Sequence, residues 1–513
     1  MSDALAGLVG LLVPSTLLLV LVGTVAGMAI GAMPGLSATM GLALLVPFTF
    51  AMDPGPGLVL LGAFYMGAIY GGSFTAILVN APGTPSSIAT ALEGYRMTRQ
   101  GRSEEAIVAA TVGSVVGGLV GVLFLLFLAP PLAQFSLRFG PQEYFWVAMF
   151  GLTIIIGMST GSMLKGLIGG ALGVLLGTVG ISPVGGDVRF TFGEPTLQGG
   201  VPLVPALIGL FTIPEVIKLI GRRTRDLDVE AATGADAGRT WWHMTRDLLR
   251  RPVNLVRSSV IGSLIGILPG AGGSVANLVA YNEARRTSRE RHLYGKGTPE
   301  GVVAAESANN ATVGGGFIPT LTLGVPGTPP DAIVLGVLLL QGLRPGADLF
   351  ERSGDLVYTF AFALALSALM MAPVGLIGGR ALQRGVVVLP TRYLAPAIAV
   401  LSIVGAYAIR SAMIDVVIML VLGVMAYFLG RVGVGVAPIV LGLVLGPIAE
   451  RGLVQGLLTS TDHALPWTTF FTRPLSLVLI LMTVAGLLWP LWQGRRQDQQ
   501  LAEISAEAER DRS

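Results

Sequence analysis

Two stretches of the chain spell the same four residues, Pro82-Gly83-Thr84-Pro85 and Pro326-Gly327-Thr328-Pro329. A Pro-Gly pair interrupts a helix, and proline then suits the first turn of the next one. Such a helix start presents unpaired backbone N–H groups and a partial positive charge. Together they bind an oxyanion without any Lys or Arg. The Thr84 and Thr328 hydroxyls would add a donor each. Two such starts make two anion cradles, an arrangement that suits a molecule with two or three carboxylates. The same string also serves as a plain structural turn, and residue types alone leave both readings open.

Other polar residues stand near these breaks. Asn80 comes just before the first. Asn309 and Asn310 lie ahead of the Gly315-Gly316 that leads to the second. An Asn amide can bond a carboxylate or lend its carbonyl to a cation. Glu306 is a candidate for sodium or proton coupling, or else an interfacial carboxylate at a cytoplasmic loop. Pro34-Gly35 and Pro269-Gly270 form a second pair of breaks. Thr39 and Ser274 follow them at equivalent places, either to line a site or to back-bond to their own helices. Lys165 sits in an apolar stretch and reads as a residue snorkelling to an interface rather than as a counter-charge. His243, His292 and His463 have no metal-ligand spacing and read as surface residues.

The elements that must position these residues come in duplicate. The first half reads Gly27-xxx-Gly31-xx-Pro34-Gly35 and the second Gly262-xxx-Gly266-xx-Pro269-Gly270. Gly71-Gly72 precedes the first PGTP by the same interval that separates Gly315-Gly316 from the second. Duplication accounts for this more simply than chance. Duplicated halves with broken apolar segments at matching places point to a secondary transporter whose site lies at the repeat interface. The basic loop at 93–105 follows PGTP in the first half, whereas the one at 283–300 precedes it in the second. That difference favours inverted repeats.

Composition sets the solvent. Of 513 residues, 52% are hydrophobic and only 12% charged, against about 25% charged in soluble domains. A chain this long with so little charge cannot wrap one core in a polar surface. Apolar runs recur throughout, starting at 8–30, and runs at 37–50, 57–81, 271–282 and 311–343 are cut by Pro and Gly. The latter suit re-entrant or discontinuous segments. The expected fold is an all-α polytopic membrane protein of about 10–12 transmembrane helices plus re-entrant pieces. Residues 1–220 form a first transmembrane repeat, 221–258 a basic cytoplasmic linker, 259–493 a second repeat and 494–513 a cytoplasmic tail. The Arg-rich stretches at 93–105, 221–257 and 283–300 are cytoplasmic by the positive-inside rule. The start, Met1-Ser2-Asp3, lacks a basic n-region, so the first apolar run reads as retained. The net charge of +3 is spread over short loops, which gives nucleic acid no patch to bind. There is no cysteine, hence no disulfide or thiolate metal site.

Enzyme signatures are missing. The chain has no HExxH, GxSxG or GxxxxGK[ST], and Gly295-Lys296-Gly297 lacks the Ser/Thr that a phosphate loop needs after its Lys. No catalytic residue, metal or cofactor is expected. A membrane enzyme, a biogenesis factor or a passive channel remain the competing classes.

At these residues the chain resembles a known family. Gly71-Gly72 through Asn80-Ala-Pro-Gly-Thr-Pro85, Ala91-Leu-Glu-Gly-Tyr95 and Arg99-Gln-Gly101 resemble the large membrane subunit of the tripartite tricarboxylate transporters. So do Pro269-Gly-Ala-Gly, Ala280-Tyr281, Tyr294-Gly-Lys-Gly297, Glu300-Gly-Val302, Glu306-Ser-Ala-Asn-Asn310, Leu323-Gly-Val-Pro-Gly327 and Gly342-Leu-Arg-Pro-Gly346. The likeness is strongest in 27–101 and 262–350. It implies a multi-pass permease of the bacterial cytoplasmic membrane that imports organic carboxylates on a sodium or proton gradient. It also implies two partners, a small four-helix membrane subunit and a periplasmic solute-binding protein. The family usually has Tyr-Pro where this chain has Tyr95-Arg96, and a different pattern where it has Gly273-Ser-Val-Ala-Asn277.

Overall fold

The computed structural model describes residues 2–33, 36–80, 84–157, 163–182, 184–221, 237–270, 272–383, 391–460 and 465–488. Helices dominate. In chain order they begin α1 (Ser2–Leu11), α2 (Pro14–Gly31), α3 (Ala38–Phe50), α4 (Pro54–Val79), α5 (Ile88–Arg99), α6 (Ser103–Ser136), α7 (Pro141–Gly157) and α8 (Met163–Gly177). After one short antiparallel pair, β1 (Gly180–Ile181) with β2 (Val188–Arg189), come α9 (Leu203–Gly221), α10 (Ala237–Leu249), α11 (Pro252–Ile267), α12 (Gly272–Thr287), α13 (Pro299–Leu323) and α14 (Pro329–Leu340). The rest are α15 (Ala347–Arg352), α16 (Gly354–Gln383), α17 (Thr391–Arg410), α18 (Met413–Arg431), α19 (Val436–Leu458) and α20 (Thr469–Thr472).

Among the described residues, seven helices are long and apolar enough to cross a bilayer. Pro466–Thr472 with Pro474–Leu488, bent by 73°, would form an eighth as one broken span. Six more apolar helices are 10–17 residues long, too short to span alone and of a length that suits half-spans. The polarity is inverted relative to a soluble protein. Large apolar side chains such as Leu18, Phe127, Ile377 and Leu481 are exposed, while Glu306, Ser307, Asn309 and Asn310 are wholly buried. Polar groups are expensive against lipid and are therefore kept inside. The chain is an all-α, multi-pass membrane protein.

Packing groups the chain into two units. One holds Met1–Leu137 and Pro202–Phe428, and the other Arg138–Val201 and Leu429–Ser513. This grouping is by contact, and differs in kind from the chain-order division at 221–258, most of whose first half lies outside the described residues. In the second unit, Gly173 of α8 packs so closely on α19 that a Cβ would lie 2.0 Å from the Ile439 carbonyl oxygen. There Glu143 is buried and meets Arg473 at 3.0 Å and the Ser476 hydroxyl at 2.8 Å.

The larger unit is built around α4 and α13, whose residues are buried almost end to end. The Pro/Gly content of 57–81 suggests a broken segment, but α4 runs uninterrupted for 26 residues. Its glycines are contact points rather than breaks. A Cβ on Gly67 or Gly71 would sit 2.4 Å from the carbonyl oxygen of Thr24 or Met28 on α2. Close backbone packing of this kind outweighs the low helix propensity of glycine. The 311–343 run does break, but only past the end of α13.

The two halves make the same contacts. A Cβ on Gly27 or Gly31 of α2 would lie 2.1 Å from the carbonyl oxygen of Phe64 or Ala68 on α4. On α11, Gly262 and Gly266 face the Ala308 and Thr312 carbonyls of α13 at 2.2 and 2.8 Å. Gly71 answers Met28, and Gly315 answers Ser263, each at 2.4 Å. The spacing of contact residues along each helix matches its counterpart, so the repeated strings correspond to repeated packing.

Candidate functional site

Both long helices end on a left-handed residue, Asn80 (φ 52°) for α4 and Gly324 (φ 69°) for α13. A new helix starts at Pro85 in the first half and at Pro329 in the second. Of the sequence candidates, Pro34, Gly35, Pro82 and Gly83 lie outside the described residues. Thr84 and Thr328 both hold extended backbone conformations at the N-cap position and are buried.

The surroundings of the two threonines differ in a way the shared string hides. Thr84 Oγ1 lies 3.0 Å from Ser86 Oγ and 3.1 Å from Ser87 Oγ. In the second element the residue matching Ser87 is Asp331. The Thr328 hydroxyl donates to Asp331 Oδ2 at 2.6 Å and accepts from the Asp331 backbone N–H at 3.4 Å. The glycines beside them match too. A Cβ on Gly72 would lie 2.6 Å from Thr84 Oγ1 and 2.9 Å from Ser87 Oγ, and one on Gly316 would lie 2.5 Å from Asp331 Oδ2.

This difference bears on the two-cradle expectation. At the start of α14 the prolines 329 and 330 carry no N–H, the next N–H is capped by Thr328, and a carboxylate already occupies the first turn. That end is unsuited to an anion. The first element instead gathers three hydroxyls, Thr84, Ser86 and Ser87, all buried.

The halves also meet crosswise. The Tyr65 hydroxyl of α4 lies 3.1 Å from Thr328 Oγ1. Asn277 of α12 donates from Nδ2 to the Ser86 carbonyl. A Cβ on Gly273 would lie 2.5 Å from Asn309 Oδ1 and 2.9 Å from Ser86 Cβ, so Asn309, Gly273 and Ser86 converge. Asn310 donates from Nδ2 to the Met66 carbonyl at 3.3 Å. Among the described residues, Asn277 Oδ1, Asn309 Oδ1, Asn310 Oδ1 and Ser307 Oγ are buried without a protein partner. Leaving such atoms unpaired costs about 1–3 kcal/mol each, so this cluster calls for partners that these side chains do not supply to one another.

Other candidates fall elsewhere. Asn80 is exposed and lines a shallow depression with Ile88, Ala91, Leu92, Tyr95 and Arg96. Its left-handed φ fits a residue that ends a helix. Ser274 is exposed and Thr39 half-buried. On α12 the inward polar residue is Asn277, one turn on from Gly273. Pro269, Pro326 and Gly327 are buried, and Gly270 (φ 82°) donates its N–H to the Gly327 carbonyl at 2.6 Å, which ties the two breaks of the second half together. Glu306 is not on a loop. It lies inside α13, accepting from Thr90 of α5 and, at 3.1 Å, from Ser114 of α6. Lys165 is half-buried on α8 beside Gly433. His243 and His292 are exposed, and His463 lies outside the described residues. No cluster of metal-binding side chains occurs among the described residues.

The stretch at 93–105 is not a loop but helical on both sides of a short turn, and Glu93 is buried inside it. Its carboxylate accepts from the Tyr281 hydroxyl at 2.7 Å, from the Gly297 and Thr298 N–H groups at 2.8 and 3.0 Å, and from the Gly295 N–H. The loop 294–298 is therefore wrapped around an acid from the other half.

Sequence reasoning missed Asp331, Tyr65, Asn277 and the Ser86-Ser87 pair. Asp331 had a signal, since it is the single charged residue in 311–343.

The model of the tripartite tricarboxylate transporter TctA family matches residues 17–441. A protein of Agrobacterium vitis described as "Uncharacterized 52.8 kDa protein in TAR-I ttuC' 3'region" is 36% identical over 476 residues, covering 92% of this chain and 93% of its own. A second from the same organism, described as "Uncharacterized protein in TAR-II ttuC' 3'region", is 36% identical over 247 residues, 47% of this chain and 99% of its own. The matched region takes in both long helices, both PGTP elements and the buried polar residues between them, so the chain belongs to the TctA family of tripartite tricarboxylate transporters and is a multi-pass membrane transport subunit.

Proposed function

We propose that this chain is the permease through which an organic di- or tricarboxylate, delivered by a periplasmic solute-binding protein, crosses the bacterial cytoplasmic membrane on a sodium or proton gradient. A small four-helix membrane subunit completes the complex, in keeping with a family whose members work with other subunits and a binding protein. The chain acts by binding and moving its substrate and carries out no bond chemistry.

The observation that carries this reading is the convergence of Ser86, which neighbours Thr84 and Ser87, with Asn277, Asn309 and Gly273. Hydroxyls of Thr84, Ser86 and Ser87 and the amides of Asn277 and Asn309 supply neutral donors. A carboxylate can be bound there and released again, which a Lys or Arg partner in a buried site would oppose. Those hydroxyls stand between the end of α4 and the start of α5, and a helix break within a membrane occurs only against protein or a polar cavity. Coupling to the gradient passes through buried carboxylates, of which Glu306 is one.

Uptake of labelled carboxylates into proteoliposomes tests this. They would carry the chain and its small partner, with and without the binding protein and a sodium or proton gradient. Gradient-driven uptake of one acid that requires the binding protein and is lost in Thr84→Ala is the expected result. No uptake of any acid by a folded complex under either gradient would overturn it.

A further inference from the structure

We infer that Asp331 is the seat of the coupling cation, a single positive charge that is either Na+ or a proton, and that Thr328 and the Gly266 carbonyl complete the site. The inference rests on the transport reading above and assigns a residue to its coupling step.

The symmetry of the repeat is broken at this residue. Thr84 and Thr328 occupy matching N-caps beside matching glycines, yet the residue paired with them is neutral Ser87 in one half and Asp331 in the other. Packing alone is satisfied by the hydroxyl, as the first half demonstrates. The carboxylate therefore brings something packing does not need, a negative charge at one end only of a duplicated pair.

Among the described residues, that charge meets no counter-charge. Asp331 is fully buried. Its Oδ2 takes the Thr328 hydroxyl, and its Oδ1 has no partner among the described residues. Four helices pack against α14, namely α3, α4, α9 and α13. Of these, α3 has no titratable residue. On α4, Tyr70 is bonded to Thr111, and Tyr65 reaches Thr328 rather than the carboxylate. On α13, Glu300 pairs with Arg251, and Glu306 is held by Thr90 and Ser114. On α9, Lys218 is bonded to Glu215 at 2.7 Å. None of these supplies a counter-charge, and an isolated buried carboxylate is too costly to persist without one.

A helix-end carbonyl stands near the acid. The point where a Cβ on Gly327 would stand is 2.8 Å from the Gly266 carbonyl oxygen and 3.2 Å from Asp331 Oδ2. Gly266 lies in the last turn of α11, where carbonyls lack intrahelical donors and the helix dipole is negative. The Gly266 carbonyl, at the end of its helix, and the Asp331 carboxylate thus both border the Gly327 backbone, where any side chain at 327 would meet them. Broken helices offer cations this donor set. The Tyr65 hydroxyl donates to Thr328 Oγ1, leaving the Thr328 proton for Asp331 Oδ2, so the network is oriented and Oδ1 stays open.

The test compares wild type, Asp331→Asn and Asp331→Ser in the full complex. The serine variant copies the first half and so guards against a folding artefact. Two quantities are read in proteoliposomes, gradient-driven accumulation of the substrate and its gradient-independent exchange. A Na+ gradient at constant pH and a pH gradient in Na+-free buffer are applied separately, and 22Na+ binding to the purified complex is measured alongside. We expect the ratio of accumulation to exchange to fall at least tenfold in the two variants, under whichever gradient drives the wild type. If sodium is the ion, 22Na+ binding falls with it, and if 22Na+ does not bind the wild type, the proton is the ion. A ratio within twofold of wild type in both variants overturns the assignment while leaving the transport reading intact. A wild type that no gradient drives removes the transport reading itself.

Discussion

The Tyr281 hydroxyl lies 2.7 Å from Glu93 Oε1, joining two residues 188 apart in sequence. Glu93 sits on α5, just past the first PGTP, and Tyr281 on α12, just past the second Pro-Gly break. With the N–H groups of Gly295, Gly297 and Thr298 added, a single buried carboxylate fastens the first half to the loop that precedes α13. The charge is held entirely by hydrogen bonds, which are stronger than neutral ones.

Replacing that acid should therefore hurt more than replacing its phenol partner. Glu93→Gln turns one acceptor oxygen into a donor that faces N–H groups, at a cost of about 3 kcal/mol. Tyr281→Phe removes one donor of several and costs about 1 kcal/mol. Thermal unfolding in detergent ranks the two, and trypsin should nick the glutamine variant faster at Lys296. Equal losses would mean that the carboxylate is not the centre of the fastening.

Helix contact through glycine makes a sharper stability prediction. In Gly31→Val a Cβ would fall 2.1 Å from the Ala68 carbonyl oxygen, and in Gly262→Val 2.2 Å from that of Ala308. Neither backbone can yield without moving a long helix, so each should lose about 3 kcal/mol. Gly55→Ala, where nothing lies within 4 Å, should be close to neutral. Folded yield and melting temperature of the three variants check this.

Binding at the first PGTP loop should depend on its hydroxyls. Thr84→Ala removes one donor to a charged ligand, worth about 1.5–3 kcal/mol, so the half-saturating concentration of the carboxylate should rise at least about tenfold. Stability should change little by comparison. Equilibrium binding of labelled substrate to the purified complex, alongside its melting temperature, measures both.

Placing a carboxylate in the first half should be worse than deleting a hydroxyl there. Ser87→Asp would copy Asp331 beside Thr84 and set an anion against the substrate's own charge. Binding should fall by more than about a hundredfold, since like charges out of water cost several kcal/mol. If Ser87→Asp binds as well as wild type, the substrate carboxylate does not sit at this loop.

Much of this protein is legible in its amino-acid sequence alone. Helix breakers and their intervals are local properties, so the paired Pro-Gly strings locate the ends of α4 and α13 and the duplicated α2–α4 and α11–α13 contacts. Composition identifies the membrane, because a chain with 12% charge has no polar coat to present to water. Family membership follows from long motifs spread along both halves.

Tertiary structure decided which polar residues share a place. Sequence put Asn80 beside the first PGTP, and the fold leaves it exposed as a helix terminator. Sequence treated Thr84 and Thr328 as equals, and the fold sets one among hydroxyls and the other on an acid. The glycines of 57–81 look like interruptions until α2 is seen packed on them. The reason is the same in each case. Propensity and periodicity act over a few residues, whereas the burial of Glu93, Asn277 and Asp331 is set by partners on helices far away in the chain, and burial is what turns a polar side chain into a site.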